Sequence, residues 1–279
     1  MMISPLICPT CAQPLHQHDA SKGLYCDAKH HFDRLAQGYY PLVKVKAKTP
    51  QSSVSRQQMR ARQFLLQSGV FQPLVDTLKQ LMLSLTTDKK QVNWLDYQCG
   101  DAYYLAQIHA FLVSKQQADN VSTWGVSDAE NALFAASKLQ SPACLIFSAL
   151  KALPFADNSI DIVTLFDAPI KGQECIRILK DDGRIVLVQP SHQHLWQIKQ
   201  QVYPDLVEKP FQINIPKRLS IETQECVSFD INVSGDQALG LLDSSLFAWR
   251  ANDELRHQIK AKSIDGLKCE FDVLVLKQI

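Results

Sequence analysis

Apolar positions along this chain follow two alternating rhythms. From Val92 the order is an apolar run at Val92–Tyr97, a helical stripe at Ala102–Val113, a run at Val121–Val126, a helix at Asp128–Leu139 and a run at Ala143–Phe147. Strand Ile160–Phe166, helix Lys171–Leu179 and strand Arg184–Gln189 continue the series. Short runs alternating with helical stripes predict an α/β fold, a mostly parallel sheet with helices on both faces, because parallel neighbours need long crossovers. Ahead of the sheet, Met59, Phe64 and Leu65 predict an apolar stripe on a helix that begins at Arg56 and ends at Gly69. Leu74, Leu78, Leu81 and Leu85 predict a second helix from Pro73. Behind it, Cys226–Val233 and Glu270–Leu276 alternate as an antiparallel pair that finishes the sheet, and Ser234-Gly235-Asp236 opens a helix through Leu242.

The first forty or so residues fit neither rhythm, and their chemistry is different. Of the 8 cysteines, Cys8, Cys11 and Cys26 crowd this segment, while Cys99, Cys144, Cys175, Cys226 and Cys269 are scattered through apolar stretches and read as reduced residues. Cys8-Pro9-Thr10-Cys11 and Cys26-Asp27-Ala28-Lys29-His30-His31 offer two ligands from each of two turns, a closed tetrahedral zinc site of the structural kind. His30 is preferred over His31 as fourth ligand, and a redox pair at Cys8 and Cys11 is the other reading. So short a segment cannot bury enough apolar surface to fold unaided, which favours metal. Phe32, Tyr39 and Tyr40 read either as its core or as stacking surfaces for unpaired bases. The reading is therefore a zinc-binding domain over 1–42, a basic linker over 43–55 and the sheet domain over 56–279.

Overall charge changes this picture little, but its distribution does. The net charge is +1, yet between Asp33 and Asp76 the chain has no acidic residue while Arg34, Lys44, Lys46, Lys48, Arg56, Arg60 and Arg62 fall inside. A one-signed stretch of this kind suits a polyanion, with Lys44, Lys46, Lys48, Arg56, Arg60 and Arg62 as candidate phosphate contacts; a solvated basic linker is the other reading. No run approaches the ~18 apolar residues of a membrane span. Met1 to Pro14 does not read as a signal peptide, so a cytoplasmic protein without membrane partners is expected.

The candidate chemistry centres on Trp94-Leu95-Asp96-Tyr97-Gln98-Cys99-Gly100-Asp101-Ala102-Tyr103-Tyr104, a strand entering a tight turn and then a helix. In an open α/β sheet that first turn is where an adenosyl ligand sits, since the helix N-terminus offers free N–H groups. Asp96, Cys99, Gly100 and Asp101 would lie beside it. Gln98 and Ala102 stand where the D-x-G-x-G-x-G pattern of S-adenosylmethionine loops has glycine, and side chains there are expected to narrow the room for ligand. After the second strand, Asp128 reaching back or Ser127 would meet ribose hydroxyls; Asp128 also reads as the cap of the next helix. Asp167, at the end of the fourth strand, is the carboxylate aimed at a transferred methyl group and is assigned as general base, with a turn-forming role as its other reading.

Taken with Cys8-x-x-Cys11, Cys26-x3-His30 and Gly38-Tyr39, several further motifs carry a resemblance. They are Ala61-Arg62, Gln72-Pro73-Leu74, Leu95-Asp96 with Cys99-Gly100, Tyr103-Tyr104, Leu153-Pro154-Phe155, Ala168-Pro169 and Phe247-Ala248-Trp249-Arg250. In this order they resemble the zinc-bearing 23S ribosomal RNA guanine-N1 methyltransferases over almost the whole chain. The resemblance implies a class I methyltransferase (Rossmann-like) sheet, S-adenosylmethionine and zinc as cofactors, and a 23S ribosomal RNA hairpin as partner. It also implies cofactor contacts at Phe71, Gly100, Asp101 and His194 and metal ligands at Cys8, Cys11, Cys26 and His30. Phe71 replaces a family tyrosine, and Lys180-Asp181-Asp182-Gly183 replaces Lys-Pro-Gly-Gly, with Gly183 expected to make the turn. Trp249 reads as a core residue or as a surface for the target base. Two readings of function follow: an active ribosomal RNA methyltransferase, or a non-catalytic protein that keeps fold and zinc but has lost the donor. The sequence leaves room for a homodimer without deciding it.

Overall fold

The computed structural model describes residues 4–43, 56–139, 142–170, 172–207, 213–245 and 247–279, the side chains of 56–58 excepted. The N-terminal segment contributes β1 (His16–Gln17), β2 (Leu24–Tyr25), β3 (His31–Phe32) and β4 (Tyr40–Pro41). Helices α1 (Arg56–Gln67) and α2 (Gln72–Thr86) lead into β5 (Val92–Tyr97), α3 (Tyr103–Ser114), β6 (Val121–Ser127), α4 (Glu130–Ala136) and β7 (Cys144–Phe147). Then come β8 (Ile160–Phe166), α5 (Glu174–Ile178), β9 (Leu179–Pro190), α6 (Trp196–Val202), β10 (Leu219–Val233), α7 (Gly235–Ser244), α8 (Asp253–Lys260) and β11 (Ile264–Gln278), with a 3-10 turn at Ala248–Arg250 before α8.

Strands β1 to β3 form a small antiparallel sheet; the other eight form one sheet in the order β10-β11-β9-β8-β5-β6-β7-β4. Pairing is parallel from β9 to β4 and antiparallel between β9, β11 and β10. This is the class I methyltransferase order, with the strand direction reversed only at the β11 side. Every residue of β8 is buried, as a central strand covered on both faces requires. One face packs Trp94, Val186 and Phe271 against Leu78, Leu105 and Leu241 of the flanking helices. The other packs Leu95, Val163 and Leu187 in a core that also holds Leu6, Leu24 and Phe32 of the N-terminal knot.

The knot is thus part of the molecule's core. Ile7 N donates to Pro154 O at 3.0 Å, Ala156 N to Pro5 O at 2.9 Å, and Leu42 N to Phe147 O at 2.9 Å. The segment it rests on is clamped by Arg177, which donates to Phe155 O at 2.7 Å and Leu153 O at 3.0 Å while pairing with Glu174 at 2.7 Å. Glu174 in turn accepts Leu153 N at 2.6 Å.

Several expectations are corrected. Helix α5 covers only 174–178 of the expected 171–179, and Lys180 to Gly183 lie inside β9 instead of forming a turn before it. The extra residues are absorbed where the pairing steps from Ile160↔Leu179 to Ile162↔Arg184. Lys180 is anchored there on Asp161 at 2.8 Å, and a Cβ at position 183 would lie 2.8 Å from Leu179 and 2.9 Å from Lys180 O, so only glycine fits. Helix α4 starts at Glu130 after Ala129, which displaces Asp128 from the cap. Phe64 is 56 % exposed because the turn of α1 points Leu65, Leu66 and Met59 inward instead. Trp249 is no core residue: it is 75 % exposed, with the Arg250 guanidinium between its ring and that of Tyr203 at 4.9 and 5.0 Å.

Candidate functional site

The metal cluster is built by two tight turns facing each other. Ala12, after the first cysteine pair, and Lys29, before His30, both take left-handed backbone (φ 60° and 63°), which folds each turn back on itself. Cys8 N donates to Gln13 O at 2.8 Å, Lys29 N to Cys26 O at 2.8 Å, and the Gln13 side chain ties the turns together through Ala28 N at 2.9 Å. The donor atoms of Cys8, Cys11, Cys26 and His30 all lie within 4.8 Å of one another. Cys26 Sγ is 3.4 Å and Cys8 Sγ 3.6 Å from His30 Nδ1, and Cys11 Sγ is 3.6 Å from Cys26 Sγ. A tetrahedral zinc with bonds of ~2.0 to ~2.3 Å separates its ligands by roughly 3.5 Å, so the donor set fits the ion. Four protein ligands would close the coordination sphere around such an ion, as in a structural site. His31 is exposed, and Phe32, Tyr39 and Tyr40 are buried as core, so none of the three aromatics is a free stacking surface.

The second site lies at the carboxyl ends of β5, β6, β8 and β9. After β5 the chain takes left-handed backbone at alternate residues: Gln98 (φ 59°), Gly100 (φ 57°) and Ala102 (φ 57°). These are the positions of the glycines in D-x-G-x-G-x-G, so the loop keeps the glycine path with two side chains on it. Each costs about 1 kcal/mol of backbone strain relative to glycine. The Ala102 methyl does not narrow the ligand space: it is buried in the core at the start of α3. A Cβ on Gly100 would meet nothing within 4 Å, so the middle of the loop is open.

Around this opening two buried polar atoms have no hydrogen-bond partner among the described residues. Asp96 is 1 % exposed; its Oδ1 accepts the Thr164 hydroxyl at 3.0 Å, which itself accepts Trp94 Nε1–H at 3.0 Å, but Oδ2 accepts nothing. Burial pushes its carboxyl up to about 8, against the opposing effects of the Thr164 hydrogen bond and Arg62. Gln98 Oε1 is also buried and unpartnered. Buried polar groups are left open in this way where a ligand completes them. Asp101 is buried and accepts Tyr103 N at 3.4 Å at the N-terminus of α3. Burial raises the thiol of Cys99 well above its usual range, which leaves it a packing residue. Ser127 is buried and accepts Ala129 N at 3.1 Å, while the Asp128 carboxylate makes no hydrogen bond among the described residues.

The opposite wall is aromatic. Phe71, at the start of α2, packs 6.4 Å from His194 and 5.7 Å from Phe271, and His194 lies 4.4 Å from Phe271. His194 Nδ1 accepts Glu270 N at 3.3 Å, which leaves Nε2 to carry the proton as a donor. Burial, aided by Lys199, lowers His194 to about 3, so the ring is neutral. Asp167 follows β8 with left-handed backbone (φ 54°) and a side chain one-third exposed. Arg62 reaches it from α1, Nη1 to Oδ2 at 3.3 Å.

Arg62 meets Asp167 at the cleft with its side chain partly exposed. Lys44, Lys46 and Lys48 lie outside the described residues, as does the side chain of Arg56; Arg60 is exposed on α1. Sequence reasoning missed Thr164, Phe271 and Glu270. Only their positions in strands that end at the cleft could have signalled them.

Comparison with known proteins agrees with this geometry. Residues 6–51 match the zinc-ribbon family described as "RlmA, N-terminal". Over 286 aligned residues, 96 % of this chain and 95 % of its relative, the sequence is 27 % identical to the protein named "Putative 23S rRNA (guanine-N(1)-)-methyltransferase YxjB" of Bacillus subtilis (strain 168). The zinc-ribbon match covers the N-terminal segment, and the similarity to YxjB runs over almost the whole chain. A second relative, the 23S rRNA (guanine(748)-N(1))-methyltransferase of Streptomyces fradiae, is 27 % identical over 69 % of this chain and 66 % of its own. The zinc ribbon and the sheet with its open glycine-path loop occur here on one shared core.

Proposed function

We propose that this chain methylates N1 of a guanine in a 23S ribosomal RNA hairpin with S-adenosylmethionine as donor. The observation that carries the reading is the loop after β5, which keeps left-handed backbone at 98, 100 and 102 and leaves Asp96 Oδ2 and Gln98 Oε1 unpartnered beside open space. When bound, the donor supplies a methyl group on a sulfonium, electrophilic enough for in-line displacement. Gly100 and Asp101 line the loop, Phe71 and His194 form the facing wall, and Ser127 and Asp128 stand where ribose hydroxyls need acceptors. Loss of positive charge as the nucleophile arrives asks the protein mainly for alignment and exclusion of water, which the Phe71, His194 and Phe271 wall provides.

Guanine N1 carries a proton at neutral pH, and Asp167 is the carboxylate at the end of β8 placed to take it. Arg62 fixes that carboxylate's orientation at 3.3 Å. The zinc, held by Cys8, Cys11, Cys26 and His30, fixes the knot. The basic stretch holding Lys44, Lys46, Lys48, Arg56 and Arg60 would meet phosphates, positioning the hairpin without reading it. Light scattering of the free protein decides between a monomer and a homodimer.

The test is incubation with transcribed 23S hairpins and donor. Methyl on N1 blocks pairing, so a new reverse-transcription stop at a guanine is expected, and Asp167→Asn should weaken the stop at least tenfold with donor affinity kept. A protein that binds the hairpin and gives no stop, with no heat on titration with millimolar donor, would be the non-catalytic member instead.

A further inference from the structure

Three aspartates gather at the loop after β5. Asp96, Asp101 and Asp167 converge on it, and Arg62 is the cation that acts electrostatically on all three. Arg62 comes from α1, where Leu65 and Leu66 on the adjacent turn are buried and hold the helix against the sheet domain. Its side chain is 28 % exposed. Its hydrogen bond among the described residues is the one to Asp167, made through Nη1. A guanidinium carries five N–H donors in a planar fork, so among the described residues most of the fork makes no hydrogen bond.

Resting on the donor reading above, we infer that Arg62 is the receptor for the donor's methionyl carboxylate. The donor carries two positive groups, sulfonium and ammonium, and one negative group. On the loop, the unpartnered Oδ2 of Asp96 and the Asp101 side chain offer acceptors for the ammonium. The open fork of Arg62, across the same opening, complements the carboxylate, and guanidinium meets carboxylate with two parallel hydrogen bonds. The same residue then holds Asp167 by Nη1 and the donor by its remaining N–H groups, so donor binding and proton acceptor share one anchor. Arg62 also ties α1, and the basic stretch entering it, to donor occupancy.

The test compares two ligands that differ only in the amino-acid part. S-adenosylhomocysteine carries the carboxylate; 5′-methylthioadenosine lacks it. For Arg62→Ala, titration calorimetry should show S-adenosylhomocysteine affinity falling about 10- to 100-fold, the range of a charge-assisted pair, with 5′-methylthioadenosine affinity unchanged. Arg62→Lys, which keeps charge without the fork, should fall between the two. Equal loss for both ligands, or no loss for either, overturns the assignment of Arg62 and leaves the donor reading standing. Wild-type protein that binds neither ligand overturns both. Loss of hairpin affinity in donor-free Arg62→Ala, with S-adenosylhomocysteine binding intact, would make Arg62 an RNA contact and also overturn the assignment. Circular dichroism and zinc content of both variants control for folding, and Arg62→Lys carries the test should Arg62→Ala misfold.

Discussion

Asp96 shows at the scale of one residue how the donor site is maintained at a cost to the fold. Its carboxyl is buried beside Thr164 and held to about 8, whereas in the unfolded chain it titrates near ~4. Between those values the unfolded chain releases the proton and the native protein keeps it, so this group's contribution to stability is full below about pH 4 and declines as pH rises through about 8. Asp96→Asn removes the titration. The ligand-free variant should show a flatter dependence of melting temperature on pH, gaining on wild type by on the order of a few kcal/mol at pH 8 relative to pH 5. Calorimetric scans at several pH values check it, and parallel curves for the two proteins would refute it. Asp96 as an acid beside the turn was legible in the sequence; the hydroxyl that holds it, Thr164, was not, because strand pairing alone brings residue 164 beside residue 96.

Among elements, the segment 153–157 and helix α5 decide how the knot is seated. Arg177 on α5 spans Leu153 O, Phe155 O, Glu174 and Asp157, and so fixes the loop on which Pro5 and Ile7 make their backbone contacts. Removing a guanidinium from such a network leaves Glu174 and two carbonyls without their donor. Arg177→Ala is expected to destabilise the protein by about 2–3 kcal/mol. It should also make the knot more sensitive to protease while zinc content is kept. Urea titration with limited proteolysis measures both. The periodicity of 171–179 suggested a longer helix here, since apolar spacing cannot distinguish one turn of helix from a strand that begins with an absorbed bulge. Trp249 illustrates the same limit: an aromatic next to a cation reads as core, and only the placement of Tyr203 beside Arg250 shows the ring left in solvent.

Across the whole molecule, zinc ribbon and sheet share apolar surface, with Leu6, Leu24 and Phe32 in one cluster with Leu150, Leu153 and Phe155. Strand β4 extends the large sheet beyond β7. Stripping zinc with a chelator should therefore do more than unfold a small appendage. The expected result is a lower melting temperature for the entire protein and new binding of an apolar dye to the uncovered face. A sheet domain that melts unchanged without zinc would show the two parts to be energetically independent. Among the described residues no helix is long and apolar enough to cross a membrane.

The sequence by itself determined the order of strands and helices, the four metal donors and the loop after the first long strand, because each is local: a rhythm, a spacing or a turn. Tertiary structure alone decided what those parts do to one another. It turned the Ala102 methyl into the core, gave Gln98 the backbone of a missing glycine, aimed Arg62 into the cleft and seated the knot on the sheet. Such facts depend on which residues distant in the chain become neighbours. The physical reason is that burial and charge pairing are properties of a place, and the chain acquires its places only when it folds.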